Sequence, residues 1–336
     1  MVKIALDCMG GDFAPGPIVK GAELAVKENI AHVVLLGDEK AIKTHLGTSK
    51  DIEILHTNTT VEMHESSSTA LRKKKDSSMN KAFELVKAGN ADAVVTAGNS
   101  GAAMAFAIFT LGRIYSVDRP AIATLHPTVN EGTSVLIDSG GNVDCKPMHL
   151  IQFAIMGDAF AKSVIGIKKP RVGLLSNGEE ETKGNELTRE TNSILKYMDI
   201  NYIGYVEGTD IYNGKVDVIV SDGFVGNVAL KVAEGIADSL NAFFKIKINS
   251  SIKNRMGYMF LKDVFQELVR KTDYSEYGGA PLLGVDGICI ICHGKSNEKA
   301  IKNAIVMAKK FAEKGLNQSI KETISGYQSI NRLKEK

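Results

Sequence analysis

Seven times along this chain a short, β-branched run breaks off into a small, polar, glycine-bearing loop. The runs are Ile4 to Asp7 before Gly10 and Gly11, Val33 to Leu36 before Gly37, and Val94 to Thr96 before Gly98 and Gly101. Val135 to Asp138, Val172 to Leu175, Val218 to Val220 and Ile288 to Cys292 follow the same rule. Such near-continuous apolar runs belong to strands buried on both faces. Helical patterns lie between them: Pro17 to Asn29, Met148 to Val164, Asn297 to Lys314, and a long stripe of Val225, Val228, Val232, Ile236, Leu240 and Phe243. Strands alternating with helices predict an α/β fold with a mostly parallel sheet. With no polar linker and no internal repeat, residues 1–326 read as one continuous body, followed by a short tail over 327–336.

Parallel sheets bind ligands in the loops at the carboxyl ends of their strands. Six of the seven loops carry Asp, Asn, Ser, Lys or His beside glycine, and the expectation is that all six share one edge as a single polar site. Glycine lets backbone N–H groups approach an anion, and a helix N-terminus adds partial positive charge. Asn99, Ser100 and Gly101, and Asp222, Gly223, Gly226 and Asn227, lead straight into helical patterns as candidate phosphate cradles. Neither is a Walker motif, and the loop after Ile4 is no dinucleotide fingerprint, so nucleotide binding lacks support. Lys146 and Lys183 are the loop cations available to a dianion. His293, at a strand end, is either a structural histidine or a hydrogen-bond and proton carrier.

The remaining chemistry is narrowed by elimination. No G-x-S-x-G or H-E-x-x-H occurs, so neither a serine hydrolase nor zinc is expected, and no cofactor is called for. Cys8 and Cys145 adjoin Asp7 and Asp144, which would raise a thiol pKa and oppose nucleophilic use. Cys289 and Cys292 have redox spacing, but three residues apart on a strand they face opposite sides. A formal net charge of +2 and 6% aromatics give no sign of nucleic-acid binding. The apolar start, Val2 to Leu6, is too short for a signal core, and no run approaches a membrane span, so a cytoplasmic location is expected. Arg72 to Lys75 is a basic run of the kind that usually faces solvent. Asn241 to Lys262 is sharper: five cations, no acid, and interleaved apolar residues from Phe243 to Leu261. Such a segment suits an anionic lipid surface or an acidic partner, or else a helical hairpin at a dimer interface.

Together, Leu6 to Pro15, Thr96 to Ala102, Asp138 to Asn142 with Asp144 to Pro147, Asn177 to Gly184, Ser221 to Asn227, and Tyr277 to Gly284 with His293 and Gly294 resemble the PlsX family, the bacterial acyl-carrier-protein:phosphate acyltransferases. The resemblance runs in order from about residue 2 to about 325. It implies a three-layer α/β/α fold related to phosphotransacetylase and isocitrate dehydrogenase, with a basic amphipathic hairpin inserted at about 236–275. It implies that inorganic phosphate attacks a long-chain acyl thioester on acyl carrier protein, giving an acyl phosphate for a membrane glycerol-phosphate acyltransferase. It implies a homodimer, peripherally membrane-associated through Phe243 to Leu261. Carried onto this chain, the catalytic candidates are Lys183, His293, Asp222, Asn227 and Lys146. The binding candidates are Asp7, Gly10, Gly11, Asn99, Ser100, Gly101, Asn185, Gly223 and Gly226. A short-chain phosphotransacetylase using coenzyme A, a decarboxylating dehydrogenase on the related fold, and a membrane scaffold are the competing readings.

Overall fold

The computed structural model describes residues 1–47 and 52–327, so most of the expected tail lies outside the described residues. Its strands are β1 (Lys3–Asp7), β2 (His32–Gly37), β3 (Glu53–His56), β4 (Ala93–Thr96), β5 (Ala121–Pro127), β6 (Thr133–Ile137), β7 (Val172–Leu175), β8 (Tyr202–Val206), β9 (Val218–Val220), β10 (Ala280–Leu283) and β11 (Ile288–Ile291). They form one sheet in the order β3-β2-β1-β4-β11-β10-β5-β6-β9-β7-β8. All seven expected runs are strands of this sheet.

The sheet has two parallel halves that run in opposite directions. β3, β2, β1, β4 and β11 are mutually parallel, as are β6, β9, β7 and β8. Between them β10 pairs antiparallel with β11 and β5, and β5 pairs antiparallel with β6. An odd number of reversals separates β11 from β6. The carboxyl ends of β1, β4 and β11 therefore lie on one edge, and those of β6, β9 and β7 on the other. This corrects the expectation of six loops on one edge: β5 and β10 insert the reversals, and strand direction is set by pairing between distant segments rather than by any local pattern.

One face of the sheet is covered without a break. The helices Gly16–Lys27, Pro147–Phe160, Glu298–Lys314 and Leu316–Gly326 contribute to a single apolar cluster there, with Leu6, Val95, Ala123 and Ile137 beneath them. Pro147–Phe160 is buried from His149 to Phe160, and a helix apolar all round belongs in a core. On the other face the packing splits. Helices Ser78–Lys87 and Ser100–Phe106 cover the first half, with Val94, Cys289 and Ile122. Ile211, Val216 and partly buried Ala229 cover the second, over Leu136 and Ile219. Cys289 and Cys292 fall in clusters on opposite faces and are both buried, as their spacing predicts.

The helices start where side-chain caps allow. Ser77, Asn99, Asn185, Asp222 and Asn297 each accept a backbone N–H of the first turn. The long stripe is one helix, Gly223–Asn249, and the chain returns as Ile252–Phe260 and Lys262–Thr272. These three helices cover most of the stretch expected as a hairpin, about 236–275. Phe244 and Tyr258 pack on Phe265 and hold its arms together.

Gly21 is where Gly16–Lys27 presses closest to Glu298–Lys314. A β-carbon there would come within 2.6 Å of Ile301 Cβ and 2.7 Å of the Glu298 carbonyl oxygen. Gly21→Ala should therefore destabilise the protein by about 1–3 kcal/mol through overpacking, despite its better helix propensity. Urea unfolding checks it; a gain in stability would contradict that packing.

Candidate functional site

The first edge is tied together by Asp7, the last residue of β1. Its buried carboxylate accepts from Met9 N at 3.2 Å and from Thr96 Oγ1 at 2.7 Å. Burial pushes the carboxyl pKa up, and these hydrogen bonds oppose the shift. Thr96 Oγ1 in turn accepts from Gly98 N at 3.0 Å. Gly10 lies against Gly98, where a β-carbon would be 2.7 Å from the Gly98 Cα, and Asp12 N donates to Gly294 O at 2.8 Å. The loops after β1, β4 and β11 thus touch one another, and Gly11 takes φ +117° at their junction.

Asn99 is spent on structure. Its Oδ1 accepts from Ala102 N at 3.0 Å, and its Nδ2 donates to Met63 O at 2.8 Å and Glu65 O at 2.9 Å. It is therefore not the free anion donor that the sequence suggests. A neutral cap that satisfies only Ala102 leaves the N–H groups of Ser100 and Gly101 with no intrahelical acceptor, on two exposed residues. His293 is exposed on the same edge, and its Nδ1 accepts from Lys295 N at 3.1 Å. In the neutral imidazole that bond puts the hydrogen on Nε2, which becomes a donor.

The second edge is tied together by Asp138, which is fully buried. Ile122 N and Gly141 N donate to its Oδ1, both at 2.9 Å. Asn142 N and Nδ2 donate to its Oδ2 at 2.6 and 2.8 Å. Gly226 rides on the Asp138 carbonyl oxygen, which a β-carbon would overlap, and Gly223 N donates to Asn142 O at 2.7 Å. The loops after β6 and β9 are therefore one unit. Asp222 caps its helix with Oδ1, accepting from Phe224 N and Val225 N, both at 2.9 Å. With Gly223 N also bonded, this helix start is already filled, by a carboxylate, and is no open cradle. Exposed Asn227 stands beside Gly140.

Lys183 and Lys146 share this second edge. Lys183 Nζ is 3.9 Å from Glu180 Oε1, in a loop folded on itself. Asn185 caps the helix Glu186–Leu195, accepting from Thr188 N at 2.9 Å, so it too is structural. Lys146 opens Pro147–Phe160, which covers the unbroken face. The structure therefore places neither lysine with His293, and Asp222 orients neither of them.

A polar strip unites the edges on the split face. Ile122 belongs to the cluster of the first half and Leu136 to that of the second; between them on the same face lie Thr124 and His126. Thr124 Oγ1 is 2.9 Å from His126 Nε2 and 2.7 Å from Ser139 Oγ. Tyr212 Oη is 3.2 Å from His126 Nδ1. The β6 loop folds back over the face here, with Ser139 N donating to Ile122 O at 2.9 Å. The carboxyl end of β5 lies on the same edge as that of β11, two strand spacings or about 10 Å away. Sequence reasoning missed these residues: β5 reads Ala-Ile-Ala-Thr-Leu-His-Pro, and its one signal was the paired Thr124 and His126 in an otherwise apolar run.

Burial disfavours the thiolate form of both candidate cysteines. Burial pushes Cys8 well above its usual value, with Asp7 adding to the effect. Burial, then Asp138, pushes Cys145 up to about 12.

A sequence profile of the fatty acid synthesis protein family matches residues 2–319. The phosphate acyltransferase of Geobacter sulfurreducens is 52% identical over 325 residues, covering 96% of this chain and 94% of that one. Among solved structures, a phosphotransacetylase from Streptococcus pyogenes superposes with a TM-score of 0.62 at 16% identity, covering 93% of this chain and 94% of that one. A 4-hydroxythreonine-4-phosphate dehydrogenase from Klebsiella pneumoniae gives 0.55 at 12%, covering 93% and 98%. At such identities the structural likeness shows the α/β fold.

Burial pushes the His126 imidazole down from the usual 6.5 to about 4. As pH falls through 6.5 the unfolded chain takes up the proton first. His126 therefore withdraws stability between about pH 6.5 and 4, by at most about 3 kcal/mol. His126→Gln should lose less stability than wild type over that window in urea titrations at pH 7.5, 6 and 5. Asp7 and Asp138, raised by burial, act in the opposite sense but are common to both proteins. Parallel pH profiles would contradict the assignment.

Proposed function

The chain belongs to the fatty acid synthesis protein family, as a relative of the phosphate acyltransferases, and on that premise we propose that it transfers a long-chain acyl group from acyl carrier protein to inorganic phosphate. The observation that carries the reading is the open helix start at Ser100 and Gly101, on the same edge as His293 and capped by a neutral side chain. A phosphate there meets two backbone N–H groups, the Ser100 hydroxyl and the His293 Nε2–H. Gly10 and Gly11 let the neighbouring loop approach it, and Asp7 holds that loop in place.

The chemistry suits such a site. Phosphate is ionised at neutral pH and needs no strong base. Its oxygen bonds to the acyl carbon as the carbon–sulphur bond breaks, and its hydroxyl proton passes to the departing thiolate, of ordinary pKa about 8.5. What the protein supplies is position and hydrogen bonds to developing charge. Asn227 stands on the far edge of the sheet, beside Gly140. Gly223 and Gly226 bring its helix against the Asp138 loop. Lys183 and Lys146 act from the far edge as cations that draw anionic substrates in.

The stem and tip of the hairpin have separate tasks in this reading. Val228, Val232, Ile236, Leu240 and Phe243 are 47–56% exposed, and the stripe they form pairs with a second copy in a homodimer. At the tip, Ile246, Ile252, Met256, Met259 and Phe260 are exposed among Lys245, Lys247, Lys253 and Arg255. This tip rests on an anionic lipid surface, where the acyl phosphate passes to a membrane acyltransferase. Among the described residues no helix is long and apolar enough to cross a membrane.

Purified protein with palmitoyl-acyl carrier protein should release free thiol only when inorganic phosphate is present, with an acyl product that hydroxylamine traps. Equal release without phosphate would make it a thioesterase and overturn the reading. Lys183→Ala should lower kcat/KM about tenfold, more at low salt; an unchanged rate removes Lys183 from the scheme.

The lipid contact is tested apart from catalysis. Changing Lys245, Lys247 and Arg255 together to Ser should cut co-sedimentation with anionic vesicles at least tenfold, at about 1 kcal/mol per cation. Thiol release in solution should stay normal. Undiminished vesicle binding would end the membrane assignment.

A further inference from the structure

We propose that the basic turn Arg72 to Lys75 is the dock for the acyl carrier protein, receiving an acidic face of the carrier so that its thioester reaches the first edge of the sheet. The inference deepens the reading above, and rests on it for the identity of the partner.

The turn joins two helices that both begin at that edge. The helix Ser67–Lys73 starts against Gly101, where a β-carbon would be 2.8 Å from Ser67 Oγ. Asn99 holds the segment leading into it through Met63 O and Glu65 O. The helix Ser78–Lys87 starts against Gly98, where a β-carbon would be 2.6 Å from Met79 Cε. Between these anchors the chain has little reach. Arg72 is five helical residues from Ser67, roughly 8 Å, and Lys75 is three residues from Ser78, at most about 11 Å. Inside the turn Lys74 N donates to Ala70 O at 2.9 Å, Ser77 N to Lys74 O at 3.1 Å, and Asn80 Nδ2 to Lys75 O at 2.7 Å. The cations are thus carried on a braced turn close to the loops of the first edge.

Their charge is unspent. Arg72, Lys73 and Lys75 are exposed and Lys74 is half-buried, and among the described residues none of the four has an ion pair. The acids that follow are engaged elsewhere. Asp76 lies 3.6 Å from Lys81 Nζ and accepts from Asn58 Nδ2 at 3.4 Å, while Glu84 accepts from Lys81 Nζ and Asn80 Nδ2, both at 2.9 Å. Glu62 and Glu65 stand at the opposite end of Ser67–Lys73. Four adjacent like charges repel one another, so a braced run of them favours an anionic partner.

That partner is a protein rather than a lipid surface. Interfacial binding buries apolar side chains at the headgroup boundary. Among the described residues no large apolar side chain is exposed between Leu55 and Phe109, whereas the hairpin tip exposes Ile246, Met259 and Phe260 among its cations. A polar, positively charged rim is what steers and registers an acidic protein. The two basic segments therefore divide the work, the hairpin tip for lipid and the turn for the carrier.

Changing Arg72, Lys73 and Lys75 together to Gln tests the dock by two measurements: calorimetric binding of the free carrier protein, and thiol release from palmitoyl-acyl carrier protein. The variant should bind the carrier about tenfold more weakly and raise its KM by the same factor, as the loss of three exposed ion pairs implies. The thermal midpoint, kcat and the KM for phosphate should stay near wild type. Wild-type affinity should fall about tenfold between 0.05 and 0.5 M salt, and that of the variant far less. With Glu at the same three positions the sign reverses, and added salt should strengthen binding. Lys73→Arg combined with Lys75→Arg keeps the charge and should match wild type.

Equal carrier binding by wild type and the Gln variant would overturn the inference, as would wild-type protein that binds no carrier. An equal loss on palmitoyl pantetheine, an uncharged thioester without the protein, would overturn it by placing the damage in the active site. Lost co-sedimentation with anionic vesicles, with carrier binding intact, would make the turn a lipid contact instead. Carrier binding that follows the charge pattern without phosphate-dependent thiol release would uphold the dock and refute the acyl-transfer reading, so the two failures are distinguishable.

Discussion

The antiparallel pairing of Leu282 with Ile122 and of Leu283 with Ala121 joins the two halves of the sheet. These residue pairs, with those on either side of them, set the direction of every strand that carries a polar loop. Were β10 and β5 parallel members of one run, all the loops would share an edge, as doubly wound sheets usually arrange them. Instead each half presents its own set. The unbroken apolar cluster on one face, from Leu6 to Ile137 and Phe311, locks the halves together. The other face is broken between Ile122 and Leu136.

Within each set the same kind of motif has gone two ways. A helix start has about four N–H groups to satisfy, and either the chain's own cap or a ligand can do so. At Asp222 the cap is a carboxylate that takes two of these groups, and Asn142 takes a third. That end is closed, and its glycines serve close packing against Asp138. At Asn99 the cap is neutral and takes one, which leaves Ser100 and Gly101 open. Replacing the neutral amide with a carboxylate there would put a negative charge beside the two open N–H groups. The choice of Asn over Asp at one position thus separates an open helix start from a closed one.

The legible part of the sequence was what periodicity and glycine encode. Strands such as Val94 to Thr96 and helices such as Asn297 to Lys314 announce themselves, because each meets its requirement locally. β5 and β10 do not: Ala121 to Pro127 alternates small apolar residues with Thr and His, and ends in no glycine loop. Edge and direction are properties of pairing between distant segments, which no local pattern carries. For the same reason the sequence named Asn99, Asn185 and Asp222 as polar loop residues but could not tell caps from ligands. The contacts of Thr124 and His126 were hidden, since Ser139 reaches them from the end of β6 and Tyr212 from the short helix Asp210–Asn213.

The helix Gly223–Asn249 shows the converse, a local pattern whose purpose is not local. Its apolar stripe is regular enough to read from the sequence, yet its only buried residues are Gly223 and Gly226. A helix is rarely stable in water on propensity alone, and an amphipathic face is ordinarily held by burial. Here the hairpin's second arm covers part of it through Phe244, Tyr258 and Phe265, while the stripe from Val228 to Phe243 stays outside. Exposed apolar surface of that length is tolerated in a soluble chain when something else covers it. The cap at Asp222 fixes where the helix begins, and the close fit of Gly226 against the Asp138 carbonyl oxygen fixes its direction.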